Sequence, residues 1–192
     1  SVLAGFPVGA SSDPRVYFED PAGHVRELAY FQRAWHNRDV TADSGAPAAM
    51  VRSVLAGFPV GASSDPRVYF EDPAGHVREL AYFQRAWHNR DVTADSGAPA
   101  GVASSKLAGF PSVNDPRVYY ADPVDHVQEL AYVQGAWHNR DVTANSGAPA
   151  AVARSALAGF PVGDPRVYYL SPGRRVRELA YAPPTRPGGQ GA

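Results

Sequence analysis

The sequence predicts an all-β fold, a β-propeller built of four repeated blades, and three observations support it. Residues 1–48 are identical to residues 53–100, and two further copies begin near Lys106 and Ala156. The period of about 50 residues lies within the range of propeller blades and of helical solenoids. The repeated segments are rich in Val, Tyr and Phe and are bounded by turn residues. None of them carries apolar residues at helical spacing for long enough to predict a helix.

Each complete repeat contains four predicted strands, which in the first copy are SVLAGF, PRVYFE, HVRELAY and WHNRDVT, followed by the loop ADSGAP. A single four-stranded sheet leaves its faces uncovered, whereas several such sheets stacked around an axis cover one another. This favours a propeller over a solenoid. The predicted units are four blades, 1–52, 53–104, 105–154 and 155–182, and a Pro- and Gly-rich tail, 183–192, that is expected to be disordered.

The fourth repeat ends before the segment that carries a Trp in the other three repeats. Trp35, Trp87 and Trp137 each begin a predicted fourth strand, and no Trp follows Tyr181. We therefore expect fifteen strands, with the last blade lacking its outer strand. Because an uncovered strand edge pairs readily with another chain, this pattern favours a homo-oligomer, in which two chains close an eight-blade ring. A four-blade ring formed by one chain is the alternative.

The hairpin between the second and third strands determines which side chains share a face. In EDPAGHV the Asp-Pro pair suits a type I turn, and Gly23 suits the left-handed position that follows. This turn pairs Val16 with Leu28. Since side chains alternate along a strand, Arg15 and Glu27 become diagonal neighbours on the opposite face, where they are expected to face the next blade.

The Arg and the Glu keep a separation of twelve positions in every copy, although the turn between them changes. One interpretation is a structural ion pair that holds adjacent blades together. The other is a binding groove, because donors, a carboxylate acceptor and a nearby aromatic face are what a sugar requires. The pairs are Arg15–Glu27, Arg67–Glu79, Arg117–Glu129 and Arg166–Glu178.

These segments also resemble a known family. RVYF or RVYY, then RELAY and a following Trp, resemble the blades of the fucose-binding β-propeller lectins of fungi and bacteria, and WHNRDVTADSGAP resembles blades of related bacterial lectins. The resemblance extends over all four repeats. It implies that fucose lies between adjacent blades. The Arg and Glu of one blade would bind its hydroxyls and ring oxygen, and aromatic residues of the next blade would stack on it.

Carried over by position, the resemblance implies four sugar sites, each built from two adjacent blades. The family often carries Trp where this chain has Tyr30, Tyr82 and Tyr132, a change that weakens stacking or alters the sugar, and its rings usually have six or seven blades. The implied sites are Arg15, Glu27, Tyr82 and Trp87; Arg67, Glu79, Tyr132 and Trp137; Arg117, Glu129 and Tyr181, without a Trp; and Arg166 and Glu178 with Tyr30 and Trp35, supplied across a ring closure or by a partner chain.

Composition excludes several other functions. The net charge is −1 and the basic residues are dispersed, which argues against nucleic-acid binding. No apolar segment is long enough to span a membrane. The six His residues occur at two repeated positions, at a turn exit (His24) and after the Trp (His36), where local structural roles are expected, and Asp39 is expected to be solvated. Without clustered ligands or a paired nucleophile and base, we expect no enzyme, no metal and no cofactor.

Two functions remain. The first is a multivalent lectin, with fucosylated or similar glycans as partners, whose individual sites add up by avidity. Such a protein would be secreted or extracellular. The alternative is a non-catalytic structural or protein-interaction propeller, engineered or recently duplicated, in which the Arg–Glu pairs only hold the blades together.

Overall fold

A computed structural model describes the chain at residues 3–9, 11–102, 105–112, 115–161 and 164–181. The first blade contains β1 (Ala4–Val8), β2 (Asp13–Glu19), β3 (Val25–Phe31), β4 (Ala34–Asp39) and the helix α1 (Val40–Ser44). The second contains β5 (Ala56–Val60), β6 (Asp65–Glu71), β7 (Val77–Phe83), β8 (Ala86–Asp91) and α2 (Val92–Ser96). The third contains β9 (Ala108–Ser112), β10 (Asp115–Ala121), β11 (Val127–Val133), β12 (Ala136–Asp141) and α3 (Val142–Ser146). The fourth contains β13 (Ala158–Phe160), β14 (Arg166–Ser171) and β15 (Arg175–Ala180).

Each blade is an antiparallel sheet whose strands follow one another in chain order. Three sheets have four strands and the last has three, so the fifteen predicted strands are confirmed within the described ranges. The first strands of the blades contact one another in succession, β1 with β5, β5 with β9 and β9 with β13. The described chain is thus a stack of four blades and not a closed propeller. The tail predicted to be disordered, 183–192, lies outside the described residues.

The prediction that WHNRDVT is a single strand was wrong. The strand ends at Asp39, and Val40–Ser44 forms a helical turn. The Asp39 side chain accepts a hydrogen bond from the Ala42 N–H, and Gly45 ends the helix in the left-handed conformation, as is usual at helix caps. The three helices are five residues long, and no helix in the described part of the chain could cross a membrane.

The hydrophobic core lies between the blades. Tyr17 and Val25 of the first blade are packed with Phe70 and Leu80 of the second, and equivalent clusters join the second blade to the third and the third to the fourth. The inner strands approach so closely that a Cβ at Gly57 would lie 2.6 Å from the ring of Phe6. Because each blade buries its faces only against neighbours, stability depends on stacking, as in other repeat proteins.

Candidate functional site

The β2–β3 hairpin has the register predicted from its turn. Val16 lies opposite Leu28, and the Asp20 N–H donates to the His24 carbonyl at 2.9 Å. Gly23 adopts φ +82°, in the left-handed region that the turn requires. Tyr17 lies directly opposite the Glu of the pair. The hairpin therefore places an Arg, a Tyr and a Glu on the face that packs toward the next blade.

A tyrosine hydrogen bond, which was not predicted, anchors the buried carboxylate. Tyr17 donates to Glu27 Oε1 at 2.7 Å, and Tyr69 makes the same bond to Glu79 at 2.7 Å. Burial, reinforced by the neighbouring carboxylate, raises the pKa of Tyr17 well above its usual range, so its hydroxyl remains a donor. The predicted register was enough to reveal this partner, because Tyr17 and Glu27 are directly opposed.

The Arg of each of the first two pairs is held above an aromatic ring. Arg15 Nη1 lies 3.7 Å from Glu27 Oε1, and the Arg15 Cζ lies 5.7 Å from the centre of the Phe31 ring. The second blade has the same arrangement, with 3.6 Å to the carboxylate and 5.8 Å to the ring. The ring itself stacks on His36 at 3.9 Å between centroids. Phe31 and His36 thus belong to the site, although neither was predicted to.

The first candidate cavity lies between the first and second blades and has a volume of about 560 Å³. The structure brings together there all four residues that the resemblance implied. Trp87 is only 5% exposed and forms a tilted pair with Tyr82 at 5.4 Å. The four residues are Arg15, Glu27, Tyr82 and Trp87.

The second candidate cavity repeats this arrangement between the second and third blades, with a volume of about 530 Å³. It is lined by Arg67 and Glu79 from one blade and by Tyr132 and Trp137 from the next. Burial raises the pKa of Glu79, and the nearby Arg67 charge offsets part of that rise.

Several buried polar atoms at these two interfaces lack partners. Among the described residues, the Nε atoms of Arg15 and Arg67 and the indole Nε1 of Trp87 and Trp137 have no hydrogen-bond partner. A buried donor left unpaired costs about 1–3 kcal/mol. Such groups are rare in native proteins, and their concentration beside two cavities is typical of sites that a ligand or water completes.

The third interface is different. Arg117 donates to Glu129 Oε1 at 2.8 Å, and the cavity between these blades has a volume of about 300 Å³. Glu129 and Tyr181 line it, whereas Arg117 does not. Arg140 lies over the Tyr181 ring at 5.3 Å. Two of the three residues predicted for this site are therefore together, and no Trp accompanies them.

The fourth predicted set is not brought together. Arg166 Nη1 lies 2.7 Å from Glu178 Oε1 on an exposed face of the last blade. Tyr30 and Trp35 lie on the first blade, where Trp35 is 56% exposed. Within the described ranges these two pairs remain on opposite ends of the stack.

Asp39 was predicted to be solvated, and that prediction was wrong. Its Oδ2 lies 2.8 Å from His24 Nδ1 and 2.8 Å from Arg26 Nη1, and its Oδ1 caps α1. Burial acts to raise the pKa of Asp39, but hydrogen bonds from His24 and from the Ala42 N–H hold it below the usual value. This residue therefore fixes the start of the helix and does not point to catalysis.

No protein-family model matches the chain, and no curated protein matches its sequence. Solved structures do match its fold. A variant of AofleA from Arthrobotrys oligospora superposes with a TM-score of 0.70 at 14% identity, over 94% of this chain and 54% of that one. The SapL1 lectin, solved with alpha methyl fucoside, superposes with a TM-score of 0.68 at 20% identity, over 94% of this chain and 60% of that one. The six-bladed lectin of Aleuria aurantia gives 0.69 at 20% identity over 96% and 61%.

These neighbours confirm the resemblance to fucose-binding propeller lectins that the repeats carry. The chain spans between about half and three fifths of the length of these lectins. Lectins are non-enzymatic carbohydrate-binding proteins, in agreement with the prediction of no enzymatic activity.

Proposed function

We propose that the chain is a multivalent lectin that binds fucose or a similar monosaccharide in the cavities between adjacent blades. The observation that carries the proposal is the repetition of one set of residues at two interfaces. At each, an Arg and a buried Glu of one blade share a cavity with a Tyr and a Trp of the next. Apolar and aromatic walls with a few fixed polar groups are characteristic of small-ligand sites.

The chemistry of these groups suits a sugar ring. Tyr17 occupies Glu27 Oε1, which leaves Oε2 without a hydrogen bond from the described residues and free to accept from a sugar hydroxyl. Arg15 makes no close hydrogen bond to that carboxylate and can donate to a second oxygen of the sugar. Trp87 and Tyr82 both line the cavity and supply aromatic surface for the apolar side of the ring.

The four predicted sites are not equivalent under this proposal. The sites at the first two interfaces, with Trp87 and Trp137, are complete. The third, with Arg117, Glu129 and Tyr181, binds more weakly because it has no Trp and its Arg is engaged by the carboxylate. The fourth, with Arg166 and Glu178, requires Tyr30 and Trp35 from another chain.

A structural role for the Arg–Glu pairs is the second candidate function. It is favoured by the pairs of the third and fourth blades, which are closed at 2.8 and 2.7 Å. In those blades the Arg and the Glu form a charge-assisted hydrogen bond with each other, so fewer of their donors and acceptors remain for a ligand.

Titration with fucose, followed by tryptophan fluorescence, tests the lectin proposal. Because Trp87 and Trp137 line the two complete cavities and Trp35 does not, Trp87→Phe and Trp137→Phe should each remove about half of the sugar-dependent signal, an expectation that rests on two equivalent sites. Trp35 lies outside both cavities, so Trp35→Phe should leave the signal of the two internal sites intact and should lower the total only where a second copy completes the fourth site. No response to fucose or to a glycan array, with a folded protein by circular dichroism, would favour the structural role.

We further propose that the chain acts as a homo-oligomer in which a second copy covers the exposed ends. Phe160 and Val176 on the last blade are exposed, whereas their counterparts in the preceding blades are buried between blades or packed against them. Trp35 is exposed on the first blade, although Trp87 is buried. Two copies joined end to end would bring eight blades. Light scattering should then give twice the chain mass of 20.5 kDa, and a monomer would contradict this assembly without affecting the two internal sites.

A further inference from the structure

The residue that ends the third strand differs among the repeats. It is Phe31 in the first, Phe83 in the second, Val133 in the third and, in sequence, Ala182 in the fourth. In the first blade the residue two positions earlier in β3 lies directly opposite Arg15. Since side chains alternate along a strand, the Phe lies on the same face as the Arg.

The geometry of the Arg–Glu pair follows this residue. The distance from Arg Nη1 to Glu Oε1 is 3.7 Å in the first repeat and 3.6 Å in the second, and it is 2.8 Å in the third and 2.7 Å in the fourth. The two repeats with Phe have an open pair, and the two without Phe have a closed one. A nitrogen and an oxygen more than 3.5 Å apart do not form a normal hydrogen bond.

The Phe ring provides a physical cause for the difference. Arg15 and Arg67 lie 5.7 and 5.8 Å from the centres of their Phe rings, within the range of a cation–π interaction. Each ring is fixed in turn by a nearly parallel His ring at 3.9 Å. Val133 offers no such face, and Arg117 turns to the carboxylate.

A second sequence difference at the third interface should lengthen the Arg–Glu distance and not shorten it. Asn145 replaces the Asp that pairs with Arg90 in the second blade, and Arg140 Nε then lies 3.8 Å from Glu129 Oε2. A second cation beside Glu129 competes with Arg117 for the carboxylate and repels it. It therefore does not explain why the Arg117 pair is the shorter one.

We propose that Phe31 and Phe83 are positioning residues that hold the guanidinium away from the carboxylate, so that both groups remain available to two different oxygens of a sugar. The proposal rests on the lectin function. In a closed pair the Arg donors and a Glu oxygen are used by each other, and a ligand must break that contact before it can bind.

The decisive variants are Phe83→Val, which gives the second blade the residue of the third, and Phe83→Tyr, which keeps the ring. Phe83 is partly exposed, and both proteins are expected to fold, as thermal unfolding can verify. Fucose titration should show one of two equivalent sites weakened by roughly tenfold in Phe83→Val, in line with the strength of a cation–π contact. Phe83→Tyr should restore the affinity, and the first site is the internal control.

A crystal structure of Phe83→Val without sugar gives a readout that does not depend on the lectin function. Closure of the Arg67–Glu79 pair to about the 2.8 Å seen in the third blade supports the positioning role. A pair that stays near 3.6 Å overturns it. Unchanged fucose affinity in Phe83→Val also overturns it. If the unmodified chain binds no sugar, the lectin proposal fails, and the distance alone then decides the role of Phe83.

Discussion

The first and second repeats have one sequence and two environments. Residues 1–48 and 53–100 are identical, and their strands begin and end at equivalent positions. Their burial nevertheless differs, since Trp35 is 56% exposed and Trp87 is 5% exposed. The local sequence thus determines the strands, whereas the neighbouring blade creates the core.

The difference is concentrated on one face of each sheet. In the second blade this face packs against Tyr17 and Val25 of the first blade, and Phe70 and Leu80 on it are fully buried. The same face of the first blade has no blade packed on it within the described ranges. Equivalent residues of the two repeats therefore form matched pairs that separate the contribution of stacking from that of the blade itself.

The largest contrast is expected for Phe70→Ala against Phe18→Ala. Phe70 is fully buried between blades, and its truncation should lower the free energy of unfolding by about 3–5 kcal/mol. Phe18 is only half-buried, so its truncation should cost clearly less. Equilibrium unfolding in urea measures both. Equal losses would mean that the face of the first blade is already covered in solution, as an oligomer would require.

The pattern of the repeats was enough to predict the strands and the hairpin register. The turn EDPAGHV fixes which residues face each other, and this predicted that Arg15 and Glu27 share a face. The resemblance to lectin blades then implied which aromatic residues of the next blade lie opposite them, and Tyr82 and Trp87 do line the same cavity. These features depend on local periodicity and on identical packing of successive blades.

Other features were missed for different physical reasons. The helix after Asp39 is only five residues long and depends on its N-cap and on Gly45. So short a helix has no recognisable apolar periodicity, and its residues were therefore predicted as the end of the preceding strand. The ring of Phe31 beneath Arg15 could have been found by extending the same-face argument two residues further. The local sequence could not predict that Trp87 is buried while Trp35 is exposed, because the two segments are identical and only their neighbouring blades differ.

The second contrast between the two repeats is the pH dependence of stability, in which Glu71 should differ from its counterpart Glu19. Glu71 is fully buried, while Glu19 is only half-buried. Gly101 makes room for it, because a Cβ there would collide with the Glu71 carboxylate. Burial raises the pKa of Glu71 from 4.5 to about 8, and the nearby Ser105 N–H and Lys106 charge offset only part of that rise.

The sign of the effect follows from the raised pKa. Between about pH 4.5 and pH 8 the folded protein keeps a proton on Glu71 that the unfolded chain has lost. The contribution of this residue to stability is therefore fully present below pH 4.5 and is lost as the pH rises to about 8, by at most about 1.4 kcal/mol per pH unit. Glu71→Gln should remove this part of the decline in urea unfolding measured from pH 5 to 8. Glu19→Gln is the matched control, and a similar change in both variants would contradict the burial argument.

The smallest effect is expected where the two repeats have the same surroundings. Arg38 and Asp43 form an ion pair at 3.4 Å, and Arg90 and Asp95 form its counterpart at 3.1 Å, with all four side chains about half exposed. Exposed pairs contribute roughly 0–1 kcal/mol. Asp43→Asn and Asp95→Asn should therefore each lower the free energy of unfolding by less than about 1 kcal/mol and by equal amounts. The third repeat already carries Asn145 at this position and still forms its helix. Each helix packs against the next blade, α1 on β8 and α2 on β12. A larger loss for Asp95→Asn alone would show that these two contacts are not equally stabilising, and the contrast between the repeats would then extend beyond the buried face.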